Sequence, residues 1–444
     1  VATNDTNEDF NGSFVFETDE APFLPVEYTA GFNLQFARGD SSDPTITQVD
    51  RDMDMYGLFF NDTWRITPSL TLNMGLRYDL RVLEGDLGGP DPFEQPGFSR
   101  DKPEDVWLNV ALGSEGTLGL RPWRPTPTDT LDLSPRVGFA WDLFGTGQSV
   151  IRGSYGIFHD RVPTLTHRSI VNSYNGLNIQ TVVERHPLVV QSFFPNPPAG
   201  DALPAGSTTV PSPSGDTPYT QHMSAGFQHK ILPNTTFSTD YTHILGLNFL
   251  MTRNVNAPLI NGVCPFDTAL IAKGITNSLC RFRMRLGHDQ SGRIHVNSLS
   301  LRLDRSFSSG FGFLIGYTLG SVKEFNRGGF PVIIGVAPAD PNDKFGDIHF
   351  GPAENDVRHR LTANLIYQLP YDINVSTVVA ANSPAPYDKT RGRDTNGDGF
   401  RNDRSKGVGV HSERGDNFFN TDLRLSKRFF IDETKIVEVL WEMF

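Results

Sequence analysis

Residues 70–80 alternate without a break. Leu70, Leu72, Met74, Leu76, Tyr78 and Leu80 share one phase, and Thr71, Asn73, Gly75, Arg77 and Asp79 share the other. Successive side chains of an extended strand point to opposite faces, so this segment predicts a strand with one apolar and one polar face. The pattern recurs. Phe311, Phe313, Ile315, Tyr317 and Leu319 oppose Gly312, Gly316, Thr318 and Gly320. Val137, Phe139, Trp141 and Leu143 oppose Arg136, Gly138, Ala140 and Asp142. Leu361, Ala363, Leu365 and Tyr367 oppose Arg360, Thr362, Asn364 and Gln368, and Thr421, Leu423 and Leu425 oppose Asn420, Asp422, Arg424 and Ser426.

About fourteen strands follow from this periodicity. They lie near 10–17, 26–38, 53–65, 70–82, 135–144, 149–161, 218–231, 236–252, 293–307, 311–323, 355–369, 373–384, 417–430 and 435–444. A half-buried sheet in a soluble sandwich would alternate too. The connections separate the two architectures. Tight turns at Thr67-Pro68-Ser69, Gly145–Gln148, Pro233-Asn234-Thr235, Ser308-Ser309-Gly310, Pro370-Tyr371-Asp372 and Asp432-Glu433-Thr434 take turns with long segments near 83–134, 162–217, 253–292, 324–354 and 385–416. A compact soluble domain seldom carries so many long loops. Short turns at one end and long loops at the other are the build of an outer-membrane barrel. The stretch 183–218, rich in Pro and small residues, is expected to lack regular structure. The fold class is therefore all-β: a transmembrane, antiparallel, up-and-down β-barrel spanning residues 1–444 as one domain.

Charge agrees with this division into lipid and lumen faces. Arg77, Arg136, Arg152, Arg302, Arg358, Arg360 and Arg424 fall in the polar phase, with Asp79, Asp142, Asp240, Asp304 and Asp422. A cation facing lipid at the bilayer midplane costs about 2–4 kcal/mol, so these side chains belong on the inside. Inside they are expected to form a ladder of mutually satisfied Arg–Asp pairs, some of which meet a ligand or plug.

Composition changes the picture little. The 33 Phe, 42 Gly and 31 Pro of the 444 residues suit strands punctuated by turns. The net charge of −12 argues against a nucleic-acid partner. No apolar run reaches the length of a membrane helix, which leaves a strand barrel untouched. The chain begins at Val1 without a signal peptide, as expected of a processed product or fragment. Cys264 and Cys280 could form one disulfide in an oxidising compartment, two buried thiols being the alternative.

The stretch YGLFFNDTWRITPSLTLNMGLRYDL at 56–80 resembles the barrel of TonB-dependent receptors. SPRVGFAWDLF at 134–144, SVIRGSYGIFHDR at 149–161, PYTQHMSAGFQHKI at 218–231, NDVRHRLTANLIYQLP at 355–370, DTNGDGFRNDR at 394–404 and FFNTDLRLSKRF at 418–429 are similar to the Oar-like branch. The resemblance implies a receptor in the outer membrane of a Gram-negative bacterium, importing a bulky ligand with energy relayed by TonB. The family places a plug in the barrel and a TonB box near the N-terminus; neither is recognisable here. Residues 1–51 are too short for a plug, and Phe444 falls in phase with Glu438 and Glu442 rather than with Val437, Val439, Trp441 and Met443. The chain is thus expected to show an incomplete barrel. Its expected partners are outer-membrane lipid, an unidentified ligand and, through the plug region, the TonB system.

Two other functions fit the pattern: a structural or adhesive barrel that displays its long loops, and a passive porin. An enzyme is not expected. Gly153-Ser154-Tyr155-Gly156 lies within a strand pattern rather than at a nucleophile elbow. The histidines lack metal-site spacing, and no phosphate-binding loop occurs. One loop carries candidate cofactor chemistry. Asp394, Asn396, Asp398 and Asp403 surround Gly399, as alternating oxygen ligands do in a calcium loop. Ser405 stands where such a loop would place its bidentate Glu, and Arg391, Arg393, Arg401 and Arg404 flank it. A polar loop held by Asx turns is the alternative, and no other cofactor is expected.

Overall fold

The computed structural model describes residues 13–16, 25–32, 53–83, 129–160, 179–184, 207–211, 216–254, 283–325, 347–393, 395–396, 402–431 and 435–444. In chain order the strands are β1 (Ser13–Phe16), β2 (Pro25–Phe32), β3 (Met53–Thr67), β4 (Leu70–Leu83), β5 (Asp132–Asp142), β6 (Ser149–His159), β7 (Ile179–Glu184), β8 (Ser207–Pro211), β9 (Tyr219–Leu232) and β10 (Thr235–Asn254). They continue as β11 (Arg283–Ser308), β12 (Phe311–Phe325), β13 (Phe350–Pro352), β14 (His359–Leu369), β15 (Ile373–Asn382), β16 (Pro386–Tyr387), β17 (Glu413–Arg414), β18 (Phe418–Phe430) and β19 (Ile436–Met443).

The wall is one antiparallel meander, β3–β4–β5–β6–β9–β10–β11–β12–β14–β15–β18–β19, each strand hydrogen-bonded to the next. The chain is an outer-membrane-type β-barrel wall. Among the described residues no register pair joins β3 to β19. Every wall strand expected from residue 53 onward is present, and among the described residues the hairpin turns all lie at one end.

The turns have local causes. Ser309 and Gly310 both adopt positive φ, 54° and 78°. Two such residues between antiparallel strands make a hairpin turn whose twist matches that of the strands. Gly145 and Gly147, at φ 67° and 69°, close the β5–β6 turn, where the Gly147 amide donates to Asp142 Oδ2 at 2.7 Å.

Register converts the sequence pattern into two faces. Arg152 on β6 stands opposite Gly226 on β9, which stands opposite Asp240 on β10, then Ser300, Thr318, Arg360 and Asn382 on successive strands. All belong to the polar phase, because directly paired residues share a face. On the other face Leu72 meets Trp64 and Phe139, and Leu425 meets Val375 and Trp441. Those apolar side chains are substantially exposed, Trp64 at 55% and Trp441 at 53%. Soluble monomers rarely leave so extended an apolar surface uncovered. A lipid-facing wall requires it, with aromatics banding its edge.

The structure differs from expectation in two respects. β1 and β2, expected as barrel strands near 10–17 and 26–38, pair with each other, and β2 pairs with β7; among the described residues no register pair joins them to the wall. The stretch 183–218 is not devoid of regular structure: β7 ends at Glu184 and β8 occupies Ser207–Pro211. β7 pairs with β2, itself paired to β1, while β8 runs parallel to the outer part of β11. Register pairing with neighbouring backbone, rather than an apolar pattern, creates these short strands.

Candidate functional site

The inner wall carries the predicted ladder in part. Arg77 Nη2 meets Asp79 Oδ1 at 2.7 Å, Arg152 Nη2 meets Asp240 Oδ2 at 2.7 Å, and Arg302 Nη2 meets Asp304 Oδ2 at 2.8 Å. The Arg152–Asp240 pair bridges two strands across the glycine between them. A Cβ built on Gly226 would collide with Asp240 Oδ1 and lie 2.8 Å from Arg152 Nε. Gly226 is therefore the gap that lets the pair close. Arg424 pairs instead with Glu442 at 3.5 Å, and Arg428 with Glu438 at 3.8 Å.

Several predicted lumen charges do other work. Arg136 stacks its guanidinium over the Phe158 ring at 4.5 Å. Asp142 caps the β5–β6 turn. Asp422 accepts from Asn420 Nδ2 at 2.9 Å, and Arg360 donates to the Asn355 carbonyl at 3.3 Å. Arg358 lies just before β14, at the loop-side rim, where it joins a hub that the sequence pattern did not single out.

That hub is Asp356, 0% exposed. Its carboxylate accepts from the Val322 amide at 2.7 Å, Arg358 Nε at 2.8 Å and Arg414 Nη2 at 2.6 Å. Arg414 Nη1 reaches the carbonyls of Asp356 and Pro384 as well. Burial alone would raise the Asp356 pKa; the Val322 amide and the two guanidinium hydrogen bonds outweigh it and hold the carboxyl below its usual range. Beside this hub, Asp388 receives two hydrogen bonds from Arg404, at 3.0 and 2.7 Å, and one from the His411 amide at 2.6 Å. Burial pushes its pKa up, and the Arg404 and His411 bonds more than reverse that. The His411 ring contacts the Pro352 carbonyl through Nδ1 at 2.7 Å. The β16–β17 hairpin is thereby bolted onto β13 and the start of β14.

A second rim cluster caps the other side of the wall. Arg81 Nη1 donates to Asp132 Oδ2 at 2.7 Å, joined by Thr217 Oγ1 at 3.2 Å. Asp129 accepts from the Leu131 and Thr217 amides. Burial works against its charge, and those two backbone hydrogen bonds prevail, so its pKa lies below the usual range. Below this cluster the wall of β3, β4, β5, β6 and β9 forms an open concavity of about 550 Å³. Asn61, Asn73, Arg136, Ser154, His222 and Ser224 line it, and Gly75, Gly138 and Gly156 also border it. Phe158, Tyr155 and three aliphatic or thioether side chains line it too, so the concavity pairs hydrogen-bonding groups with apolar surface.

Of the candidate calcium loop, Asp394, Asp398 and Gly399 lie outside the described residues. Asp403 Oδ2 accepts from the Thr395 amide, the Thr395 hydroxyl at 2.9 Å and the Asn396 amide at 3.2 Å. That oxygen closes the loop upon itself. Cys264 and Cys280 also lie outside the described residues.

Comparison with known proteins places this geometry. A family model described as an outer membrane beta barrel domain matches residues 1–380. No curated protein sequence matches the chain. Among solved structures, the chain is similar to the outer membrane transporter YddB from Escherichia coli, with 14% identity and a TM-score of 0.50 over 94% of this chain and 42% of that one. It also overlaps the ferric-catecholate import receptor Fiu from Escherichia coli K12, with 12% identity and a TM-score of 0.43 over 86% of this chain and 39% of that one. At such identities the YddB likeness speaks for the fold alone. The chain spans less than half the length of either structure.

Proposed function

The chain belongs to the outer membrane beta barrel domain family, and on that premise we propose that it is the wall of a TonB-dependent receptor of the Oar-like type, importing a bulky ligand. It is a protein of the Gram-negative outer membrane. The observation that carries the transport reading is the inner wall. Paired arginines and aspartates line a face whose reverse is apolar, so the barrel encloses a polar, prearranged surface. Such a surface supports passage or docking of a polar body. The family stretches in residues 56–80 and 355–429, and the transporter described for YddB, support the same reading. Residues 1–444 are assigned to one barrel domain, and the chemistry is binding and conduction rather than catalysis. Calcium at the loop of Asp394, Asn396, Asp398 and Asp403 belongs to the same proposal, as a structural ion. The Asp403 hydrogen bonds, all from N–H or O–H donors to one carboxylate oxygen, support the ion-free alternative.

The test uses the product of the complete gene. Its binding to the periplasmic domain of TonB is measured by calorimetry, and its conductance in planar bilayers is recorded alongside. Saturable binding with a largely closed channel is expected. No binding with a steady open conductance would overturn active transport in favour of a passive pore. A second reading, a surface-display barrel, draws on the bolted rim of Asp356, Arg414 and Asp388, which holds two loop segments in fixed relation. It predicts an adhesion defect on loop deletion and no energised uptake.

A further inference from the structure

Polar side chains on the inner face of β3 to β9 engage one another. Thr63 Oγ1 donates to Asn73 Oδ1 at 2.9 Å, and the hydroxyls of Ser154 and Ser224 meet at 2.6 Å. Nearer the loops Arg77 holds Asp79, and Ser134 Oγ lies 3.0 Å from His159 Nδ1. His222 Nε2 lies 3.0 Å from Thr220 Oγ1. Asn61 and Arg136 stand apart from these pairs. Among the described residues, the Asn61 amide and the Arg136 guanidinium make no side-chain hydrogen bond and no ion pair; Arg136 has its contact with the Phe158 ring at 4.5 Å.

Register brings these two together. One inward row runs Asn61, Gly75, Arg136, Gly156 and His222 across β3, β4, β5, β6 and β9. Arg136 therefore has a glycine on either side. A Cβ on Gly75 would collide with Asn61 Oδ1, and one on Gly156 would lie 3.0 Å from the Phe158 ring and 3.3 Å from Arg136 Cγ. The Asn61 amide thus leans across Gly75, and Phe158 lies across Gly156. The His222 ring packs on Phe158 at 4.7 Å and fixes that platform. A guanidinium over a ring keeps its N–H groups in its own plane, where an anion can still reach them. Asn61 and Arg136 also line two concavities at once, the one of about 550 Å³ and a second of about 200 Å³ on its loop side.

The charge around them is uncompensated. From β3 to β9, this row and the inward rows on either side of it hold no Asp or Glu. Asp62, which borders the larger concavity, belongs to the outward phase with Met74. Asp79 already neutralises Arg77. Arg136 lies six residues from Asp142, where β5 ends at its turn. At about 3.3 Å per residue and a tilt near 40°, it stands about 15 Å above the turns. That is within the apolar band, about 25 Å tall. A charged side chain without a partner at such depth marks a site or a path. One positive charge matches a carboxylate better than a doubly charged phosphate monoester, and the planar guanidinium fits its two oxygens.

We propose that Arg136, with the Asn61 amide beside it and the Phe158 ring beneath it, forms an inner-wall subsite for a carboxylate group of the imported ligand. The guanidinium binds both carboxylate oxygens, and the Asn61 amide donates to one of them. The subsite rests on the import reading for its occupant. Its binding step needs neither TonB nor energy, so the two can fail separately.

Full-length protein in mild detergent is titrated with 4-fluorobenzoate, a small carboxylate, whose fluorine NMR line reports binding. Wild type is expected to broaden the line saturably, and to bind neutral 4-fluorobenzamide and inorganic phosphate far more weakly. Arg136→Gln should weaken benzoate binding about tenfold or more. Lys427→Gln, on the outward face beside Ile373, leaves it unchanged. Gly75→Ala displaces only the far end of Asn61 and should weaken binding about threefold. Heat-dependent gel mobility confirms that each variant is folded, and Gly75→Ala carries the test if Arg136→Gln does not fold. No saturable binding by wild type, undiminished binding in the folded variants, an equal loss with Lys427→Gln, or equal or tighter binding of the benzamide or of phosphate would overturn the subsite. Benzoate binding at Arg136 by a protein that fails to bind TonB would sink active transport and leave the subsite standing.

Discussion

On the inner wall Arg302 and Asp304 meet at 2.8 Å with side chains 56% and 34% exposed. At the rim Arg414 and Asp356 meet at 2.6 Å with the aspartate 0% exposed. The geometry is nearly the same; the surroundings are not. Water competes for the first pair, which therefore contributes little to stability and stays open to exchange its partner for another charge. The second is withdrawn from water. Asp356 is tolerable only because three donors replace its hydration, and losing one leaves a buried charge short of partners. Exposed pairs line the route through the barrel, and the satisfied, buried pair fixes its mouth.

The largest effect that could break this comparison is Asp356→Ala. It strands Arg358, Arg414 and the Val322 amide together, and should cost about 3–5 kcal/mol. Urea unfolding in lipid, with limited proteolysis of the 402–415 segment, reads it out; an unchanged cleavage rate would mean the rim is held by something else. Next, Gly226→Val forces a side chain into the gap under the Arg152–Asp240 pair, costing about 1–3 kcal/mol. Here the loss should fall on the wall, leaving rim cleavage untouched.

Acid sharpens the contrast further. Asp356 and Asp388 have folded pKa values below their unfolded ones. Their contribution is therefore complete above the unfolded value of about 3.9 and is lost as pH falls through the folded values. Cleavage of 402–415 by an acid-active protease should rise only below about pH 4, and a rise beginning near neutrality would contradict it. The smallest effect is Asp304→Asn, within about 1 kcal/mol in the same unfolding assay. A loss as large as that of Asp356→Ala would erase the distinction between wall and rim.

Periodicity made the wall legible. The alternation of Leu70–Leu80 fixed which face of β4 is polar, and β3, β5, β6 and the later wall strands followed by the same rule. Arg77–Asp79 and Arg302–Asp304 were readable because their partners are two residues apart on one face. The rim was not. Asp356 and Arg414 are 58 residues apart on separate loops, and neither loop has a period that would announce a meeting. Arg81 and Asp132 share the polar phase of β4 and β5, but they stand at the loop-side ends of those strands, beyond the alternating runs that announced them. Arg358 continues the polar phase of the following strand in the sequence, but its place just outside β14 gives it a local partner rather than a place in the ladder. β7 and β8 were missed because short strands recruited by a neighbouring backbone need no amphipathic pattern of their own.

β11 is 26 residues long, far more than the membrane requires. One strand thus passes from hydrocarbon into water, with its register break beside Gly292. Its amides form a depth gauge. Hydrogen–deuterium exchange should be slow from Ile294 toward Ser308 and quicken stepwise beyond Gly292, so a single peptide series would locate the membrane surface on the molecule to within a few residues.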